Sequence, residues 1–141
     1  YWRNDEATAE TIDEDGFLHT GDIGTLDADG YCQVRGRCRD VIIRGGENIY
    51  PAEIEGALMA HPDVTMAAVV GVDNERLGQE VGAAVVLREG AGTSSEELET
   101  HVAAAVASFK VPRHWRFVDA MPMTASGKIR KVELEQDFRE S

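Results

Sequence analysis

No run of 18 apolar residues occurs in these 141 residues, so a helical membrane span is excluded. No basic-then-apolar leader opens the sequence either. Cysteine is scarce. Cys32 and Cys38 are the only two, spaced neither as a CxxC site nor as a disulfide framework, which makes a reduced, cytoplasmic setting the expectation. The four histidines (His19, His61, His101 and His114) are scattered without metal-ligand spacing. Asp13-Glu14-Asp15-Gly16 and Asp27-Ala28-Asp29-Gly30 begin like calcium loops but lack the further ligands and distal glutamate of an EF-hand. They read as turns, and no metal site is expected.

Positive charge is also in short supply. Fourteen Lys and Arg against 26 Asp and Glu leave a net charge of −12, which argues against nucleic acid or an anionic membrane surface as partner. The shortage is uneven. Residues 31–50 hold four arginines against two acids, and 108–131 hold six bases against one acid. Two basic segments in an otherwise acidic chain point to faces that meet a polyanionic small molecule. Chance clustering of surface charge is the plain alternative.

What is present suffices for one core: 43% of residues are hydrophobic, in a chain of single-domain length with room for an appendage. Residues 1–30 are polar and turn-rich, and Tyr1-Trp2-Arg3-Asn4 reads as mid-protein sequence, so a fragment of a longer chain is expected. Tyr31 to Gly36 and Asp40 to Arg44 read as two short strands around Arg37-Cys38-Arg39, like a hairpin or bent ribbon. A diglycine turn, Gly45-Gly46, leads to a helix begun by Pro51, with Ile54, Leu58 and His61 on one face and Pro62 as its stop. Val64 to Val72 and Val81 to Leu87 are β-branched runs of strand length. Ser94 and Glu97 make a capping box before a stripe of Leu98, Val102, Val106 and Phe109. Trp115, Phe117 and Val118 predict a third strand, and a short helix from Lys131 carries Leu134 and Phe138. The expected fold is α+β: a small mixed three-stranded sheet with flanking helices, plus an N-terminal two-stranded hairpin.

Three positions carry candidate chemistry. Asp22 lies between Gly21 and Gly24 in a loop, where a carboxylate can accept from both hydroxyls of a cis-diol; a turn-forming aspartate would look the same. The Gly45-Gly46 turn lets another backbone or a thin ligand approach closely. Lys128 follows Ser126-Gly127 in an irregular stretch. A phosphate-binding P-loop is excluded there, because Pro122 stands where a glycine is needed and Ile129 where Ser or Thr is needed. What remains is a lysine on a mobile tip, suited to phosphate oxygens whose charge grows in a transition state.

Thr20-Gly21-Asp22, Gly36-Arg37, Arg44 to Glu55, Phe109-Lys110-Val111-Pro112 and Ser126-Gly127-Lys128 occur in one order that resembles the C-terminal part of the AMP-forming acyl-CoA synthetases. Tyr1-Trp2-Arg3-Asn4, Gly45 to Glu55 and Pro122-Met123-Thr124 look most like the medium- and long-chain fatty acyl-CoA ligases within that adenylate-forming superfamily. The resemblance implies that 1–36 is the tail of a large N-terminal domain and that 37–141 is a mobile C-terminal lid. It implies that Asp22 holds the ribose hydroxyls of ATP with Arg37 nearby on the nucleotide. Lys128 becomes the catalytic lysine of adenylation, Arg39 the hinge, and Arg44, Gly45, Gly46 and Glu47 the CoA-side loop, with Arg44 a candidate for CoA phosphate. Arg39 departs from the Asp or Lys that many relatives carry.

The substrates so implied are ATP, CoA and a fatty acid or other carboxylic acid, with Mg2+ bound mainly by the missing N-terminal domain, without which the fragment is expected to be inactive. Transfer to a carrier-protein phosphopantetheine is the alternative within the same chemistry. A non-catalytic interaction module is the alternative outside it.

Overall fold

The computed structural model describes residues 2–140. Tyr1, which opens the mid-protein segment, and Ser141, which closes the expected lid, lie outside the described residues. The chain divides after Arg39 into two compact units, 1–39 and 40–141.

The first unit holds a helix and a ribbon. Helix α1 (Asp5–Thr11) starts at Asn4, whose side-chain oxygen accepts from the Ala7 N–H at 2.9 Å, and Asp5 and Glu6 sit at the positive end of the helix dipole. Both Asp/Gly segments are turns. Asp13 Oδ1 accepts from the Asp15 and Phe17 N–H groups, and Asp27 Oδ1 accepts in the same way from Asp29 and Tyr31. The Phe17 hydrogen bond holds the Asp13 carboxyl below its ordinary range against the opposing effect of desolvation, with His19 and Asp15 adding to the lowering. Strand β1 (Asp22–Leu26) pairs antiparallel with β2 (Cys32–Arg37). This corrects the expected pairing of 31–36 with 40–44: the Asp27 turn folds β2 back onto the segment before it, and Cys38–Asp40 form a 3-10 turn instead of a hairpin loop.

The second unit is a five-stranded sheet with helices on both faces. Its strands are β3 (Ile42–Arg44), β4 (Glu47–Ile49), β5 (Val64–Asn74), β6 (Gly78–Leu87) and β7 (His114–Phe117). β6 is central. One edge carries β5, antiparallel from Asn74↔Gly78 to Val64↔Leu87. The other carries β3 at Arg44↔Gly78 and, further along, β7, parallel from Gly82↔His114 to Val85↔Phe117. The sheet therefore exceeds the three strands expected, because β3 joins it and brings β4 across the Gly45-Gly46 turn.

Residues of alternating parity on β5 and β6 feed two cores. Val69, Val81, Ala83 and Val85 pack with Ile54 and Leu58 of α2 (Pro51–Met59) and Leu98 and Val102 of α3 (Ser95–Ala103). Ala68, Val70 and Ala84 pack with Met121 and with Leu134 of α4 (Lys131–Arg139). Each buried Ile, Leu or Val contributes about 1.5–3 kcal/mol relative to exposure. The Ser94–Glu97 capping box is present with both hydrogen bonds. α3 ends at Ala103, and Val106 and Phe109 reach the same core from the turn beyond it. α2 likewise stops at Met59, short of His61. Gly82 is bare because a Cβ there would stand 2.7 Å from Val72 Cγ2 and 3.4 Å from the Phe138 ring.

Candidate functional site

In the first unit, Asp22 and Arg37 face each other across the β1–β2 ladder, with Arg37 Nε 3.3 Å from Asp22 Oδ1. The Asp22 N–H donates to Thr20 Oγ1 at 3.1 Å, and the Cys38 N–H donates to Gly21 O at 2.8 Å. These bonds close a small concavity of about 230 Å3 lined by Thr20, Gly21, Arg37, Cys38 and Arg39. Asp22 keeps its carboxylate exposed beside the Arg37 guanidinium. The pair thus offers adjacent acceptor and donor groups, as a sugar diol next to a phosphate requires.

In the second unit, Gly45 and Gly46 make the two-residue turn between β3 and β4. Their φ values of +58° and +90° are the left-handed conformation that such hairpin turns need. Three contacts clip this hairpin to β6 and the turn before it. The Gly45 N–H donates to Leu77 O at 2.8 Å, the Ile43 N–H donates to Gln79 Oε1 at 2.9 Å, and Arg44 Nε donates to Glu80 Oε1 at 2.5 Å. Gln79 has room because Gly71, diagonal to it on β5, carries no side chain; a Cβ on Gly71 would stand 2.5 Å from Gln79 Nε2.

Glu80 is 6% exposed. Burial alone would raise its carboxyl, but hydrogen bonds from Arg44 and from the Val81 N–H, with the charges of Arg44 and His114, outweigh it and hold the group below its ordinary value. The same hydrogen bond to Glu80 raises Arg44 despite its desolvation. Arg44 Nε is therefore engaged by Glu80, while 22% of the Arg44 side chain stays in solvent. Gly45, Gly46 and Glu47 are exposed. Sequence reasoning missed Glu80, although a lone acid at the start of an apolar strand was the available signal.

Lys128 ends a hydrogen-bonded turn within the irregular stretch between β7 and α4. The Thr124 N–H donates to Lys128 O at 2.8 Å, the Lys128 N–H donates to Thr124 Oγ1 at 3.0 Å, and Gly127, at φ +77°, donates its N–H to Thr124 O. Met123 and Ile129 bridge across its base, and the Arg130 N–H donates to Pro122 O.

The other bases of the 108–131 segment are engaged within the chain. Lys110 binds Glu53, Arg113 binds Glu99, Arg130 binds Glu133, Lys131 binds Glu55, and Arg116 donates to Asp137 O. The exposed Lys128 ammonium alone among these six has no partner among the described residues. The charge excess read from the sequence thus reduces, in this segment, to one available cation.

The structure brings Asp22 and Arg37 together in one unit and gathers Lys128 and the Gly45–Glu47 turn into the other. No group of three or more His, Cys, Asp or Glu side chains able to hold a metal occurs among the described residues, and no helix described is long and apolar enough to cross a membrane.

The sequence profile of the AMP-binding enzyme C-terminal domain matches residues 53–128. The mitochondrial medium-chain acyl-CoA ligase ACSF2 of Mus musculus is 44% identical over 140 residues, which are 99% of this chain and 23% of that protein. The putative acyl-CoA synthetase YngI of Bacillus subtilis is 46% identical over 136 residues, 96% of this chain and 25% of that protein. The chain thus spans about a quarter of the length of these relatives. Among solved structures, ATP-bound MatB from Rhodopseudomonas palustris superposes with a TM-score of 0.90 at 37% identity, covering 99% of this chain and 28% of that one. With a mitochondrial enzyme and a bacterial one among the relatives, kinship lends no support to the cytoplasmic placement.

Proposed function

The chain belongs to the AMP-binding enzyme C-terminal domain family, and on that premise we propose that it serves an AMP-forming acyl-CoA ligase acting on a medium- or long-chain fatty acid. In the first half-reaction an oxygen of the substrate carboxylate attacks the α-phosphorus of ATP and pyrophosphate leaves. In the second, the CoA sulfur attacks the carbonyl carbon of the acyl-adenylate and AMP leaves. Asp22 receives the ribose hydroxyls and Arg37 the nucleotide beside them. Lys128 brings its ammonium to the carboxylate and α-phosphate, where negative charge grows as pyrophosphate departs. The Gly45-Gly46 turn and Glu47 form the slot for the pantetheine arm. Arg39, the last residue of the first unit, is the pivot that withdraws Lys128 and offers that turn. Mg2+ accompanies ATP, but this chain supplies no ligand cluster for it among the described residues. CoA is preferred over a carrier protein as acceptor because the relatives are named acyl-CoA ligases.

The observation that carries this reading is the isolation of Lys128: in a segment whose other bases are all engaged, its charge is left for a ligand. In the complete ligase, Lys128→Ala should lower adenylate formation by about 10²–10³-fold, the cost of removing one donor to a developing charge. Thioester formation from supplied acyl-adenylate and CoA should be spared. Equal loss of both half-reactions would overturn the assignment.

A further inference from the structure

We propose that Thr124 is a positioning residue for adenylation, fixing the direction in which Lys128 leaves the body. The inference rests on the reading of Lys128 given above and goes beyond it, since it concerns what aims the lysine.

Thr124 grips Lys128 at both ends of its backbone. Its N–H donates to the Lys128 carbonyl at 2.8 Å, and its hydroxyl oxygen accepts from the Lys128 N–H at 3.0 Å. The carbonyl of Thr124 accepts from the Gly127 N–H at 3.0 Å, and its hydroxyl shares a further 3.0 Å hydrogen bond with Ser126 Oγ. One residue thus meets three polar backbone groups of Gly127 and Lys128. The turn itself is moored below. Met121 is 5% exposed in the core under α4, Ile129 packs against the same cluster, and the Arg130 N–H to Pro122 O bond closes the base.

The Lys128 backbone is therefore built as rigidly as a hairpin end, while its side chain is exposed and has no partner among the described residues. A point charge on a four-carbon stem is a poor instrument if its root also wanders, because a misplacement of 1 Å can cost about 10²-fold in rate. Holding the root removes that freedom and leaves only the stem to order. The hydroxyl is the part of Thr124 that backbone pairing cannot replace: without it the Lys128 N–H loses its acceptor, and the turn keeps only the Thr124 N–H to Lys128 O and Gly127 N–H to Thr124 O bonds.

The test compares Thr124→Val, which keeps shape and removes the hydroxyl, with Thr124→Ser, which keeps the hydroxyl. Both are made in the complete ligase and assayed in separate half-reactions with dodecanoate, ATP and CoA. Thr124→Val should lower kcat for adenylate formation about 10-fold or more, with KM for ATP within about twofold, since the lysine acts on charge that appears only in the transition state. Thioester formation from supplied dodecanoyl-adenylate should stay within about twofold, and Thr124→Ser should restore adenylation to within about threefold. Should valine disturb folding, Thr124→Ala carries the same expectation without added bulk.

Amide hydrogen exchange on the complete ligase, read by mass spectrometry with residue-level fragmentation, supplies a measurement independent of turnover. The Lys128 amide should exchange at least about tenfold faster in the valine variant and at the parent rate in the serine variant. Unchanged adenylation in the valine variant, equal loss of both half-reactions, or failure of serine to restore would each overturn the proposal. If Lys128→Ala itself leaves adenylation intact, the functional reading falls; if Lys128→Ala abolishes it and Thr124→Val does not, only the positioning role falls.

Discussion

Removing the Glu80 carboxylate should loosen the glycine hairpin from the sheet at a measurable cost. Glu80 is 6% exposed and accepts from Arg44 Nε at 2.5 Å and from the Val81 N–H at 3.1 Å. Glu80→Ala leaves the guanidinium without its counter-charge and the Val81 N–H without that acceptor. Stripping one partner from a fully buried pair costs about 3–5 kcal/mol; because Arg44 keeps 22% of its side chain in solvent and can turn toward water, about 2–3 kcal/mol is expected here. With a urea slope of about 1–3 kcal/mol/M, the unfolding midpoint of the second unit, followed by Trp115 fluorescence, should fall by about 0.7–3 M.

The pH dependence has a definite sign. The Glu80 carboxyl lies below its ordinary value of 4.5 in the folded chain, so the unfolded chain binds its proton first as pH falls. The pair's contribution is complete above about pH 4.5 and is lost as pH drops through the folded value. Glu80→Ala should therefore flatten the acid limb of the stability profile. A double-mutant cycle with Arg44→Ala isolates the coupling, expected at about 1–2 kcal/mol. A destabilisation below about 0.5 kcal/mol, or an acid limb unchanged in the variant, would show that the hairpin does not depend on this pair.

Gly71→Ala places a Cβ 2.5 Å from Gln79 Nε2, displaces that amide from the Ile43 N–H and should cost about 1 kcal/mol, seen as a lower Tm. The cost should shrink in a Gln79→Ala background. Ser94→Ala removes the cap of α3 and should cost about 1 kcal/mol in denaturant unfolding. It should leave both half-reactions of the complete ligase unchanged.

The elements legible in the sequence were those whose apolar period reports a buried face. Ile54 and Leu58, Leu98 and Val102, the β-branched run of β5 and the Leu134–Phe138 spacing all pack where the pattern put them. α1 was missed because none of its residues is buried; its helicity comes from Asn4 and the following acids, which leave no stripe. β1 has a single half-buried residue, Ile23, and β4 is three residues long, so neither leaves a period to read. Within the candidate site, residue types were legible but not engagements. Nothing in the spacing of Arg44 and Glu80, 36 residues apart, announces an ion pair. Nothing local says that Lys110 and Lys131 meet Glu53 and Glu55 on α2 while Lys128 meets no partner among the described residues. Those pairings are made by tertiary geometry.

The parallel docking of β7 beside β6 imposes an order on assembly. The β5–β6 ribbon is joined by a short local turn and can close early, whereas β7 must wait until the chain has travelled over the sheet through α3 and returned. The Thr124–Lys128 turn and α4 come later still in the chain, and they rest on Ala84 and Val70, which that ribbon has already paired. A nascent polypeptide leaving the ribosome would hold its glycine hairpin well before the Lys128 turn had any surface to stand on. The turn that carries Lys128 is thus among the last parts of the fold to form.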